Sequence, residues 1–258
     1  MNIIVCIKEV ACLQKVSSSQ EYSSRDQYQK EINPYDLYAI ETAVQIKNKL
    51  GGKITAISMG ADSARNVLEQ SLARGVDRAI LISDRQFAGA DTLATASVLA
   101  ETVKKIKHFD LVICGKQAVD GDTAQIGPSL AEKLQIPQIT NVISIENINE
   151  RKILCKRLLE YHYQTEKAGF PVLLTVCKDI YPIPQPSLRN ILRAKKTEIE
   201  KWDNTMLQIN ESLCGKKGSQ TEVIKIKKND FIRQAQTVDV KNDEKLNIFI
   251  DELINLSQ

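Results

Sequence analysis

The chain has 258 residues, 43% of them hydrophobic, with 35 Lys and Arg against 32 Asp and Glu for a formal net charge of +3. That is enough apolar material for a sizeable core, while so small a charge, carried by lysines interleaved with acids, leaves no footprint for nucleic acid. Apolar runs no longer than strands exclude a transmembrane helix or a secretory h-region and point to the cytoplasm, and six cysteines without CxxC spacing, with two distant histidines, argue for buried reduced thiols rather than zinc.

Over roughly the first 140 residues, strand patterns alternate with helix patterns, the signature of an open, mainly parallel α/β sheet flanked by helices, Rossmann-like in kind. The strands are "NIIVCI" (2–7), "KITAIS" (53–58), "RAILIS" (78–83) and "DLVICG" (110–115). After a polar, Ser- and Gln-rich stretch at 9–32, expected to be an exposed loop or small hairpin, a helix starts at Pro34. Asn33 is placed to cap it, Asp36 lies in its first turn, and Leu37, Ile40 and Val44 share a face. The next helix buries Val67, Leu68 and Leu72 and ends near Gly75, where a left-handed cap is wanted. A third runs from about Asp91 to Lys107 with Leu93, Ala96, Leu99, Val103 and Ile106 inward. A fourth is predicted over "TAQIGPSLAEKL" (123–134).

"KILCKRLL" and "FPVLLTVCKDI" supply further strands that complete the sheet or form an antiparallel flap. From Tyr181 the character changes, because three prolines spaced by two stiffen "YPIPQP" into an extended segment. The expected organisation is therefore an α/β nucleotide-binding domain at 1–180 and a recognition loop with C-terminal arm at 181–258. The tail has no core of its own, so it is expected to lie on a partner, and "EKLNIFIDELINL" reads as an amphipathic helix.

The segment most informative about function is "CGKQAVDGDTAQIG" (114–127). It lies between a buried strand and a helix, at the sheet edge where open parallel sheets take ligands. A helix start offers amide N–H groups and a partial positive pole, so a phosphate is the expected guest. Asp91-Thr92 and Asp122-Thr123 each follow a Gly and precede a helix pattern, which suggests two nucleotide-facing helix starts. Capping by those Asp residues and direct ligand contact are both open. Asp120 and Asp122 would repel a diphosphate, so backbone amides and the Thr123 hydroxyl must hold it while the acids bond ribose or brace the loop. Lys116 either reaches phosphate or is simply solvated, and Gln125 suits an amide contact.

Five stretches in order, "INPYDLYAIETAVQIK" (32–47), "SMG" (58–60), "ARGVDRAILISDRQFAGADTLATA" (73–96), "CGKQAVDGDTAQIGPSLAEKLQIPQIT" (114–140) and "PSLRNILRAKK" (186–196), resemble the β subunit of electron transfer flavoproteins, with "GKKGSQTEV" (215–223) less sharply so. The resemblance implies a heterodimer with an FAD-carrying α subunit and an adenine nucleotide in the β subunit: AMP in conventional members, and the ADP half of a second FAD, fed by NADH, in electron-bifurcating ones. Carried over by position, Cys6, Asn33, Pro34, Tyr35, Asp36, Met59, Gly115, Lys116, Gln117, Ala118, Val119, Asp120, Gly121, Asp122, Thr123, Ala124, Gln125 and Ile126 would line the adenosine and phosphate site. Gly89, Ala90, Asp91, Thr92 and Thr95 match the segment of FAD-containing members. Leu188 stands where the family docks a leucine into a dehydrogenase; the lesser alternative is that it begins a packed turn with Ile191 and Leu192. The chain departs from the family in lacking glycines and Pro-Asp after its first strand, in lacking a Gly-rich turn in 158–171, and in carrying Gln220 for a proline. A nucleotide sensor or hydrolase of similar architecture ranks last, since there is no GxxxxGK[ST] loop and no catalytic His/Cys cluster.

Overall fold

In the computed structural model, residues 1–11, 30–222, 224 and 243–256 are described. Residues 1–222 form one compact unit and 223–258 a second. The first is built on a nine-stranded sheet. Its strands are β1 (Asn2–Cys6), β4 (Lys53–Met59), β5 (Arg78–Ile82), β6 (Leu111–Gly115), β7 (Gln138–Ile148), β8 (Lys152–Leu158), β9 (Tyr163–Gly169), β10 (Val172–Val176) and β11 (Ile199–Trp202), in the order β11-β5-β4-β1-β6-β10-β7-β8-β9. From β11 to β7 every pairing is parallel, whereas β8 and β9 continue as an antiparallel flap. The two late strands read from the sequence thus take both expected parts: β10 completes the parallel sheet and β8 belongs to the flap. β2 (Glu9–Ala11) and β3 (Lys30–Ile32) form a separate antiparallel pair, the hairpin reading of 9–32, whose middle lies outside the described residues.

The central strands are buried on both faces, which is why they read as continuous apolar runs. Ile3, Val5, Ile54, Ala56, Leu111 and Ile113 face one core, together with α1 (Pro34–Leu50) and α2 (Arg65–Ala73). Ile4, Cys6, Ile57, Val112 and Cys114 face the other, with α3 (Thr92–Ile106) and α4 (Ile126–Leu134). α3 begins and ends within a residue of expectation. Asp91 caps it and Gly75 follows α2 at φ +111°. Leu93, however, is 39% exposed rather than inward.

Two expected helix starts are corrected. Asn33 makes no side-chain cap to α1, because both ends of its amide are bonded elsewhere. α4 begins at Ile126 rather than Thr123: Asp122 and Ala124 stand at φ +51° and +53°, a left-handed backbone that cannot continue into a right-handed helix. Pro128, in the first turn of α4, removes no helical hydrogen bond.

Residues 182–187 lack regular structure, and the chain then forms α5 (Leu188–Lys196) and β11, neither of which was read from the sequence. α5 packs on α2, where Arg193 Nη2 donates to the Leu72 carbonyl at 3.0 Å. Trp202, Leu207, Ile209 and Cys214 enter the second core. α6 (Asn204–Leu207) and α7 (Gly215–Gly218) are single turns. In the second unit, the expected amphipathic helix is α8 (Asp243–Leu256). Among the described residues no helix is long and apolar enough to cross a membrane.

Candidate functional site

β1 is flanked by β4 on one side and β6 on the other, so the chain reverses its direction of travel across the sheet at the β1–β6 pair. Ligands of open α/β sheets bind outside the carboxyl ends at that kind of switch point. Cys6, the last residue of β1, and Cys114, the residue before the end of β6, are directly paired in register with their thiols in contact. That contact and burial raise the pKa of Cys114 well above its usual value, and it remains a thiol.

Above them the start of α1 presses on β6. A Cβ at Gly115 would fall 2.4 Å from Asp36 Oδ1 and 2.7 Å from the Tyr35 backbone, so only glycine fits there. The Asp36 carboxylate accepts from the Lys8 amide at 2.8 Å and from the Gly115 amide. Burial dominates its titration and pushes its pKa up to about 7, against the lowering effects of the Asn33 side chain and those two amides. Asn33 Nδ2 donates to the Gln117 carbonyl at 2.8 Å, and its Oδ1 accepts from the Val119 amide at 3.1 Å. α1 therefore holds the loop that leaves β6.

The rest of that loop is braced by its own acids. Lys8 Nζ pairs with Asp120 at 2.7 Å, and Gln117 Nε2 donates to Asp122 Oδ1. Asp122 does not cap α4. Gly121 and Asp122 donate to the Ala118 carbonyl, while the amides of Thr123, Ala124 and Gln125 have no acceptor among the described residues. Alternation of left- and right-handed residues with free amides makes an anion-binding concavity. The exposed Thr123 stands beside it, and at Gly121 a Cβ would meet nothing within 4 Å. These residues fit a phosphate group.

The second segment reaches the same place. Thr92 Oγ1 donates to Gln125 Oε1 at 2.9 Å, joining the start of α3 to the end of the 115–126 loop. Asp91 Oδ1 accepts from the Ala94 amide at 2.9 Å, the Asp91 carbonyl accepts from the Thr95 amide, and Gly89 at φ +73° turns the chain into this start, with Ala90 half-buried between them. Met59, at the end of β4, is half-buried against the core beneath α3. Lys116 donates its amide to Val176, and its side chain is half-buried. Leu188, 72% exposed, lies on α5, apart from these segments in the sequence and in the fold.

Two contributors escaped the sequence reading. Lys8 joins Asp36 and Asp120, and its only signal was a cation one residue past a strand end. Ser219, Gln220 and Thr221 bond Asp91 from about 130 positions away, which no local pattern encodes. A separate groove of about 340 Å³, lined by α3, Lys133, Gln208, Ile209, Asn210 and Leu213, carries none of these groups.

A sheet with this switch point and an amide-lined loop defines an open α/β protein of the class that takes anionic ligands at the carboxyl ends of its strands. The electron transfer flavoprotein domain matches residues 24–207. The chain is 44% identical over 194 residues to the electron transfer flavoprotein subunit beta of Thermoanaerobacterium thermosaccharolyticum, covering 75% of this chain and 74% of the relative. It is 37% identical over 241 residues to the corresponding subunit of Clostridium acetobutylicum, covering 93% and 92%. Protein FixA of Sinorhizobium fredii is 38% identical over 235 residues, covering 88% and 82%. The chain belongs to the electron transfer flavoprotein family, on its β-subunit side. Membership implies association with flavin or nucleotide and pairing with an α subunit and dehydrogenases.

Proposed function

We propose that the chain is the β subunit of a bifurcating electron transfer flavoprotein heterodimer in the cytoplasm. It would hold the ADP half of an FAD across 115–126 and 89–95, and pass electrons from NADH towards an acyl-CoA-type dehydrogenase and a low-potential acceptor. The bound flavin supplies the redox chemistry. The chain binds and orients: the Thr123, Ala124 and Gln125 amides face the phosphates, Asn33 and Lys8 fix the loop, and no side chain acts as nucleophile or general acid. Residues 181–258 carry the recognition loop, with Leu188 docking the dehydrogenase, and an arm for the α subunit.

The observation that carries this reading is the Thr92–Gln125 hydrogen bond, which makes one continuous surface of two helix starts. An FAD needs more binding surface than an AMP, and two starts supply it. The alternative is a conventional electron transfer flavoprotein with structural AMP, shuttling electrons from acyl-CoA dehydrogenases. It is favoured by Asp91, whose carboxylate is taken up by the Ala94, Gln220 and Thr221 amides rather than offered to a ligand. Co-expression with the α subunit and a count of bound cofactors decides. Two FAD per heterodimer is the expected result. One FAD with AMP overturns bifurcation, and no nucleotide in the β subunit overturns the site.

A further inference from the structure

Asp91 is engaged more completely than a helix cap requires. Oδ1 accepts from the Ala94 amide, while Oδ2 accepts from the Gln220 amide at 2.8 Å, the Thr221 amide at 3.1 Å and the Thr221 hydroxyl at 3.2 Å. Its own amide donates to Ser219 Oγ at 2.8 Å, and Ser219 Oγ in turn donates to the Gly215 carbonyl at 2.8 Å. Burial acts to raise the pKa of Asp91, but these donors outweigh it and hold the carboxyl below its usual value. Oδ2 receives three of these donors and Oδ1 the fourth, so Oδ2, with two lone pairs, has no acceptor left for a ribose or an amide of a ligand.

The partner segment is built to come this close. Lys216 donates its amide to the Ala88 carbonyl at 3.0 Å, and a Cβ on Gly215, at φ +56°, would stand 1.9 Å from the Gln86 carbonyl oxygen. Residues 215–221 therefore lie against 86–91 along their length. From Asp91 the chain passes directly to Thr92, whose hydroxyl holds Gln125 in the amide-lined loop. One hydrogen-bonded line runs from Thr221 through Asp91 and Thr92 to Gln125.

We infer that Asp91 is a positioning residue. It clamps 219–221 to the start of α3, so that ligand held by 123–125 and closure of 219–221 reinforce each other. The inference rests on the nucleotide-site reading above. Asp91→Ser and Asp91→Asn separate its roles, since both still cap Ala94 but lack an acceptor oxygen for Gln220 and Thr221. Amide hydrogen exchange at 219–222 is followed in the α/β complex with and without added AMP or FAD, alongside ligand affinity. In the native complex, ligand should slow exchange of 219–222. In both variants that protection should be lost and affinity should fall about ten-fold, with exchange of α3 unchanged. Variants that bind ligand with native affinity, or a native complex that binds ligand without protecting 219–222, would overturn the coupling alone. A native β subunit that binds neither AMP nor FAD would overturn both the coupling and the proposed site.

Discussion

Asp36 gives the sharpest test of how the site is built, because its titration is set by burial. Its pKa rises from 3.8 to about 7 in the folded state. The folded protein then holds a proton that the unfolded chain has released, and stability falls as pH rises from about 4 to about 7 and is flat above. A tenfold change in proton affinity is worth about 1.4 kcal/mol, so this group alone accounts for a loss of about 3 kcal/mol between pH 5 and pH 8. The groups facing it do not cancel the effect. Lys8 is drawn to Asp120 at 2.7 Å and is the weakest of the lowering influences, and burial together with its contact to Cys6 keeps Cys114 a thiol. Other carboxylates held below their usual range, Glu200 among them, oppose the trend at acid pH. The measurement is therefore a difference: urea unfolding of the native chain and of Asp36→Asn, which keeps the neutral shape, followed by the single tryptophan, Trp202, in the second core. The variant should gain steadily on the native chain from pH 5 to about pH 7. A difference that does not change with pH would refute the argument that desolvation outweighs the two amide hydrogen bonds.

Other substitutions probe separate contacts. Gly127→Ala places a Cβ 2.3 Å from Thr175 Cγ2, between α4 and β10, and should lose about 2 kcal/mol of unfolding free energy; adding Thr175→Ser, which removes that methyl but keeps the hydroxyl that accepts from Asn141, should restore most of it. Lys8→Met frees Asp120 beside the amide-lined loop, so AMP or FAD affinity should drop about five-fold at low salt and recover as salt is raised, while stability barely moves because the pair is half-exposed. Leu188→Ala should slow electron delivery to the dehydrogenase about ten-fold with flavin content and unfolding unchanged, as its 72% exposure requires; an unaltered transfer rate would assign Leu188 to the packed turn instead.

The parallel sheet was legible because β1, β4, β5 and β6 are buried on both faces and so are apolar without interruption. β7 and β9 were not, since "QITNVISIENI" and "YQTEKAG" carry half-exposed and exposed residues with neither period. β11 and α5 were hidden for another reason. Their stability comes from β5 and α2, more than a hundred residues earlier, and the basic residues of "RAKK" disguise a helix with a packed inner face. In the candidate site, the two loops were legible as loops because a strand end followed by a helix start is a local pattern. The side-chain assignments were less secure. Asn33 and Asp122 have the chemistry of caps, yet tertiary partners at Gln117 and Val119 claim the first, and a left-handed backbone removes the second from that role.

Four carboxylates, Asp36, Asp91, Asp120 and Asp122, surround a place proposed to hold phosphate, and in water-like surroundings their combined field would repel it. Each is answered differently: Asp120 by the Lys8 ammonium, Asp122 by the Gln117 amide, Asp36 by the burial that favours its proton, and Asp91 by backbone amides and the Thr221 hydroxyl. The acids thus act as braces that convert a glycine-rich loop into a fixed one. Attraction for an anion is left to the amides of 123–125, which have no acceptor among the described residues and whose orientation is set before any ligand arrives. A loop held this way needs little ordering on binding, so less of the interaction is lost to conformational entropy.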